Sequence, residues 1–582
     1  MKTASQPVVI QGIPASPGLA YGEARVVYSW EQTIEERIIP ENEIDNEILR
    51  LDLAVEESLS ELENWVETAG QKLGGPLAKI FETQLMIASD REFLKHVKEG
   101  IRRSHKCAEY VYSQQIEKTL QPLQSSSDPY LRQMAGDIEA ISQRVLRRLT
   151  GQATRHIEPA AADSIYVGKI FSAAEVLSLY ERKVRAIVTT EGGANSHMAL
   201  IARSLLIPTV VGVPKAHLKI QSGDRLIIDG SKGQVTINPS QSLWNELRKK
   251  TSRITARYFL KLDKLPYFPP KTADGVDIDV AANIDLPGPI DQILAERRVG
   301  IGLYRTEFVY LQNGLFPNEN QQYDIYSAMA KRYHPRPVAI RTFDLGSDKY
   351  YKADNMSKES NPALGWRGIR ASFDMPSVFR DQIRAILRAS TAGNVKILLP
   401  MIADVEEFKK ARRIIKLAMN SLRKKKIPFN EKIKIGIMIE VPAAAMAADI
   451  LAERVDFFSI GSNDLTQYTL AADRDNQKMA KIHNPLHPAV LRLIANCVHA
   501  AHNNRIPVSM CGEMAGDILA IPLLIGMGIN QLSMNPSNLY NACRLISKIS
   551  CAETTNIAKV ALNLKTLKEV EGYLLDYNMS LE

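Results

Sequence analysis

From residue 271 onward, short apolar runs alternate with amphipathic helical stretches, and the alternation repeats eight times. The runs occupy 277–282, 300–303, 338–340, 395–399, 435–439, 456–459, 507–510 and 531–533. Short apolar runs separated by helical segments read as parallel strands, because only a long crossover returns each strand in the same direction. Eight such units over about 300 residues close into a (β/α)8 barrel. In that architecture the reactive groups gather at the C-terminal ends of the strands. Here Arg305 and Glu307 follow the second run, and Arg341 and Asp344 the third. Glu440 ends the fifth, Asn463 and Asp464 follow the sixth, and Cys511 and Glu513 follow the seventh. The pattern predicts one mouth lined by arginines, carboxylates and a thiol.

Each of these residue types has a defined chemistry. Arg305, Arg341 and Arg474 offer planar forks that match phosphate and carboxylate. Glu440 and Asp464 are hard oxygen ligands of the kind Mg²⁺ accepts, with water and substrate oxygens completing its shell. Asn463 adds a neutral amide, and Cys511 is a candidate proton donor or acceptor. Taken singly, an arginine or glutamate at a strand end also fits a salt bridge, and a cysteine on a strand fits a small core residue. Convergence on one face favours a small substrate that carries both phosphate and carboxylate and binds through Mg²⁺.

The first half of the chain has a different grammar. Strand-like segments at 8–10 and 20–27 flank a turn-rich stretch, 12–18, and further strands are expected at 164–167, 186–189, 209–212, 225–228 and 234–237. Between the two sets, apolar residues from Ile44 to Leu62 recur at helical spacing, as they do over 78–88, 92–101, 108–120 and 130–149. The expected organisation is an α/β domain over 1–30 and 150–240, interrupted by a helical bundle over 31–149. A charged helix, 243–260, runs into Pro266, Pro269 and Pro270, so 241–270 reads as a helical linker or hinge before the barrel domain, 271–582. The start of the bundle is strongly acidic, which fits either a solvated helix face or a docking surface for a basic partner.

Within the resumed α/β segment stands Gly192-Gly193-Ala194-Asn195-Ser196-His197, followed by an apolar helical pattern. The glycines allow a tight turn, Ser196 is a favoured N-cap, and His197 falls in the first helical turn, where free N–H groups favour an anion. An imidazole so placed is able to attack a phosphoryl group. The alternative is a histidine satisfied at a helix start.

At 582 residues the chain is long enough for two to four domains. Its net charge of +8 is spread along the sequence without aromatic interleaving, which argues against a nucleic-acid partner. The five cysteines lack disulfide or metal spacing, the N-terminus lacks the blocks of a signal peptide, and the longest apolar run, near 518–529, is broken by Pro522. A cytoplasmic protein without membrane insertion is expected.

The residues taken together resemble the Enzyme I family of the bacterial phosphoenolpyruvate:sugar phosphotransferase system, along essentially the whole chain. The resemblance rests on GIPASPG (12–18), GGANSHMALIARS (192–204), GIGLYRTEF (300–308), RTFDLGSDK (341–349), NPALGWRGIR (361–370), IMIEVPAA (437–444), DFFSIGSNDLTQYTLAADR (456–474) and MCGEMAGD (510–517). It implies that the α/β domain is a phosphohistidine domain and that phosphoenolpyruvate is bound by Arg305, Arg341, Asn463, Asp464 and Arg474. It implies Mg²⁺ on Glu440 and Asp464, phosphorylation of His197 on Nε2, and Cys511 as the proton donor that yields pyruvate. It also implies transfer to the histidine of the phosphocarrier HPr, docked on the helical insertion, and a homodimer through the barrel.

Four positions depart from the family pattern. Val176 stands where a threonine commonly faces the phosphorylated histidine, Asn195 replaces a Thr or Ser, Ser347 a Gly, and Val441 a Thr. None of these removes a group that does chemistry. Related dikinases and synthases add a nucleotide-binding domain for which 1–150 leaves no room, and the nitrogen-regulatory form adds a sensory domain that is not seen here. A scaffold that binds the carrier without transfer is disfavoured by the intact His197, Glu440, Asp464 and Cys511.

Overall fold

The computed structural model describes residues 8–16, 18–27, 34–73, 85, 89–125, 129–151, 164–171, 173–193, 197–205, 207–245, 265, 269–285, 287, 290–307, 310, 316–346, 359, 361, 363–473, 479 and 482–581. The chain divides into two units, Met1–Arg257 with Pro287–Pro289, and Tyr258–Leu286 with Ile290–Glu582.

The first unit is built on an eight-stranded mixed sheet. Its strands are β1 (Val8–Gln11), β2 (Ile13–Ser16), β3 (Leu19–Val27), β4 (Ser164–Gly168), β5 (Ala186–Thr189), β6 (Thr209–Val211), β7 (Arg225–Asp229) and β8 (Gln234–Ile237). They lie in the order β1-β8-β7-β3-β4-β5-β6-β2. The β3-β4-β5-β6 centre is parallel and the flanks are antiparallel. Every residue of β4, β5 and β6 is buried, as expected for central parallel strands covered on both faces. The stretch 12–18, expected to be turn, contains β2. That strand runs along the sheet edge against β6, where Pro14 costs little because an edge strand tolerates a missing N–H.

β3 and β4 pair residue by residue although the whole helical block separates them in sequence. The block comprises α1 (Ile44–Leu73), α2 (Arg91–Ser104), α3 (Ala108–Gln124) and α4 (Pro129–Leu149). Ile44, Ile48, Leu51 and Val55 of α1 meet Val97, Ile101, Tyr112, Ile116, Ile138 and Val145 in one core. Asp90 caps α2 by accepting from the Glu92 and Phe93 amides. Part of the acidic start is paired internally: Glu47 with Arg50, which also holds Glu109 of α3, Asp52 with Lys98, and Glu57 and Glu61 with Arg148. Of the helix expected over 78–88, only Leu85 is described, and of that expected over 243–260 only 243–245, which are helical; the rest of both lies outside the described residues.

In the second unit eight parallel strands close on themselves. They are β9 (Asp279–Ile284), β10 (Gly300–Tyr304), β11 (Val338–Arg341), β12 (Val395–Leu399), β13 (Lys434–Ile439), β14 (Phe458–Ile460), β15 (Val508–Met510) and β16 (Gln531–Met534), and β16 pairs with β9. Leu303, Leu398 and Met438 of three strands form a buried cluster with Phe457, just before β14, and Cys511, just after β15. The fold is therefore the α/β architecture with a (β/α)8 barrel that the strand pattern predicts. Among the described residues no helix is long and apolar enough to cross a membrane.

Candidate active site

In the α/β unit, His197 is the first residue of helix α6 (His197–Ser204), and Gly192, with φ of 102°, turns the chain ahead of it. The helix is anchored by buried Met198, Ala199, Ile201 and Ala202, and by Arg203, whose Nε donates to the Ala15 carbonyl at 2.8 Å. The side chain of His197, with residues 194–196, lies outside the described residues. Val176 is fully buried on helix α5 (Ala173–Glu181), which packs against α6.

At the barrel mouth the strand ends converge. Arg305, directly after β10, reaches Asp285 at 2.9 Å. Arg341, the last residue of β11, is 8% exposed and lies 3.2 Å from Glu307 and 3.1 Å from Asp344. The Glu307 carboxylate also accepts the Asp344 N–H at 2.7 Å, which fixes the turn after β11. Asp344 takes a bidentate hydrogen bond from Arg367, at 3.1 and 2.7 Å, and the same guanidinium reaches Asp464 at 3.1 Å and the Tyr468 hydroxyl at 3.1 Å. Gly368, next in the chain, has φ of 59°, and a Cβ there would meet Met401 and Asp344, so only glycine lets the loop fold back this closely.

Glu440, immediately after β13, is 1% exposed and accepts the Met401 N–H at 2.7 Å. Burial, then the charges of Asp344 and Asp464, push its carboxyl up to about 8, against the pull of Arg341 and Arg367. Asp464 stands in the first turn of the helix Ser462–Leu470. Beside it, Asn463 uses Oδ1 to accept the Glu513 N–H at 2.9 Å, which leaves its amide N–H groups as the face it offers a ligand. Cys511 is 2% exposed; its Sγ lies 3.4 Å from the Ile460 carbonyl, to which the thiol donates. Burial pushes the thiol up to about 11, so it is protonated at neutral pH.

Among the described residues, Arg305, Arg341 and Arg367 face five carboxylates, Asp285, Glu307, Asp344, Glu440 and Asp464. Five carboxyl groups thus stand against three guanidinium groups. Among the described residues no three His, Cys, Asp or Glu side chains form a closed metal centre. Glu440 and Asp464 would offer a cation two hard oxygen ligands, with water and substrate oxygens completing the shell.

Of the residues singled out in the sequence, Arg305, Arg341, Glu440, Asn463, Asp464 and Cys511 stand at this mouth. Arg474 lies outside the described residues. Arg367, within NPALGWRGIR (361–370), joins those at the mouth without being a strand-end residue. It arrives from the loop after β11 rather than from a strand end, and its signal is the flanking pair Gly365 and Gly368.

Comparison with known proteins covers the same ground. Residues 261–551 match the PEP-binding domain of PEP-utilising enzymes, 11–133 their N-terminal domain, and 161–233 their mobile domain. The chain is 37% identical over 574 residues to the phosphoenolpyruvate-protein phosphotransferase of Geobacillus stearothermophilus, covering 99% of each chain. It is 37% identical to that of Bacillus subtilis (strain 168), covering 97% of this chain and 99% of the relative. The corresponding figures for Haemophilus influenzae are 36%, 98% and 99%. Among solved structures it is similar to the Enzyme I (nEIt) protein solved by NMR, 29% identical, covering 42% of this chain and 98% of that one with a TM-score of 0.35. With matching sequence from end to end and the barrel mouth in place, the chain belongs to the phosphoenolpyruvate-protein phosphotransferase (Enzyme I) family of PEP-utilising enzymes.

Proposed function

We propose that this chain moves the phosphoryl group of phosphoenolpyruvate onto Nε2 of its own His197, and from there onto the histidine of a small HPr-type phosphocarrier, releasing pyruvate. The observation that carries the reading is the barrel mouth, where guanidinium forks, an excess of carboxylate and a protonated thiol meet at the ends of different strands. In this reading Arg305, Arg341, Asn463 and Arg474 bind the phosphate and carboxylate of the substrate. Arg367 holds Asp344 and Asp464 in position.

Mg²⁺ held by Glu440 and Asp464 supplies neutralisation of the phosphoryl oxygens when bound. The His197 imidazole attacks phosphorus, and the bond from phosphorus to the enol oxygen breaks with its electron pair going to the enolate. The Cys511 S–H then gives its proton to the methylene carbon, which becomes the methyl group of pyruvate. The reading includes a homodimer through 271–582 and carrier docking on the helical block.

Exchange of isotopically labelled pyruvate into phosphoenolpyruvate tests the barrel half. It is expected to require Mg²⁺ and to fall at least about a thousandfold in Glu440→Gln, since one ligand and one charge are lost together. Undiminished exchange in the folded variant would contradict the assignment.

A further inference from the structure

Ser459 lies in the middle of β14 and is 1% exposed. In the parallel register it pairs with Met438 on one side and Ser509 on the other, so it faces the same way as Met438, which packs with Cys511 inside the barrel. Its hydroxyl makes no hydrogen bond of ordinary geometry, although it lies near enough to the Cys511 sulfur to favour the thiolate. A buried hydroxyl left unmade costs stability, and its persistence calls for a reason.

The resting state of Cys511 supplies one. Its thiol and its backbone N–H both point at the Ile460 carbonyl, at 3.4 and 2.9 Å. That carbonyl suits a thiol but repels a thiolate. The loop has little room to adjust, because Gly512 presses on the helix Ser462–Leu470 so closely that a Cβ would lie 2.0 Å from Ser462 Oγ. Four groups act on the sulfur. Glu440 opposes its ionisation, and Arg341, Arg305 and the Ser459 hydroxyl favour it, the hydroxyl more than either arginine.

We propose that Ser459 acts through Cys511: its hydroxyl becomes the donor to the thiolate left when Cys511 protonates the enolate. The inference rests on the phosphotransfer reading of the mouth. The S–H bond breaks as the C–H bond of the methyl group forms, and the electron pair stays on sulfur. Ser459 keeps its own proton and only donates a hydrogen bond, and water returns a proton to the sulfur after pyruvate leaves. An interaction that is slight in the ground state and strengthens as charge develops raises kcat without tightening substrate binding. A hydrogen bond to a buried charge is worth about ten- to a hundredfold in rate.

The test is Ser459→Ala in the full chain. Pyruvate release is expected to fall at least about tenfold with KM for phosphoenolpyruvate within about twofold. Alkylation of Cys511 by iodoacetamide at alkaline pH slows about tenfold, because less thiolate is present. The melting temperature stays level or rises, because the hydroxyl removed was unsatisfied. Ser459→Thr, which keeps the hydroxyl, restores both rates at least in part. Wild-type kcat and alkylation in folded Ser459→Ala would overturn the proposal, as would parallel losses of stability and substrate affinity. If the unaltered chain releases no pyruvate, the reading of the mouth fails instead, and the alkylation comparison still reports on Ser459.

Discussion

A single guanidinium at position 367 serves two carboxylates, Asp344 and Asp464, and so ties together the segments that follow two different strands. Lysine keeps the charge but loses the fork, so Arg367→Lys is expected to lower pyruvate exchange about a hundredfold while the barrel stays folded. Arg367→Ala strands two buried carboxylates and should also cost about 3–5 kcal/mol of barrel stability, read by denaturant titration. Wild-type exchange in the lysine variant would show that the pairing is dispensable. Residues at strand ends were legible in the sequence because a barrel dictates where its strands point. Arg367 was not, because its position depends on a loop fold that no periodicity encodes, and the pairing of Glu307 with the Asp344 backbone escaped for the same reason.

Strands and helices were legible where one local rule acts alone. β5, β8 and β12 match the expected segments residue for residue: β5 and β12 are largely buried apolar runs, and β8 alternates exposed or half-buried polar with buried apolar residues. β14 begins at Phe458 rather than 456, since Asp456 turns back to accept the Ile435 N–H at 2.8 Å. β2 was hidden by its own proline and by the glycines on either side of it, and its pairing with β6 is a long-range fact. The helical block carries its own pH signature. Tyr112 in its core is pushed up to about 12 by burial. Its raised value means the unfolded chain loses the phenolic proton first, so this stability is intact below pH 10 and is lost as pH rises from about 10 to 12, by about 2–3 kcal/mol. Melting curves across that range should show the decline, and Tyr112→Phe should flatten it. An unchanged slope in the variant would assign the alkaline loss to other tyrosines.

At the scale of the whole chain, two units carry complementary chemistry: a helix that begins at His197 in one, and in the other a mouth where guanidinium, carboxylate and thiol groups meet. The net charge of +8 is spread along the sequence rather than gathered at either site. The most direct test of the central claim is intact-mass analysis after incubation with phosphoenolpyruvate and Mg²⁺, with His197→Ala alongside. The account predicts one acid-labile phosphate on the unaltered chain, none on the variant, and pyruvate released in step with the label. Phosphate retained by His197→Ala, or none acquired by the unaltered chain, would contradict it.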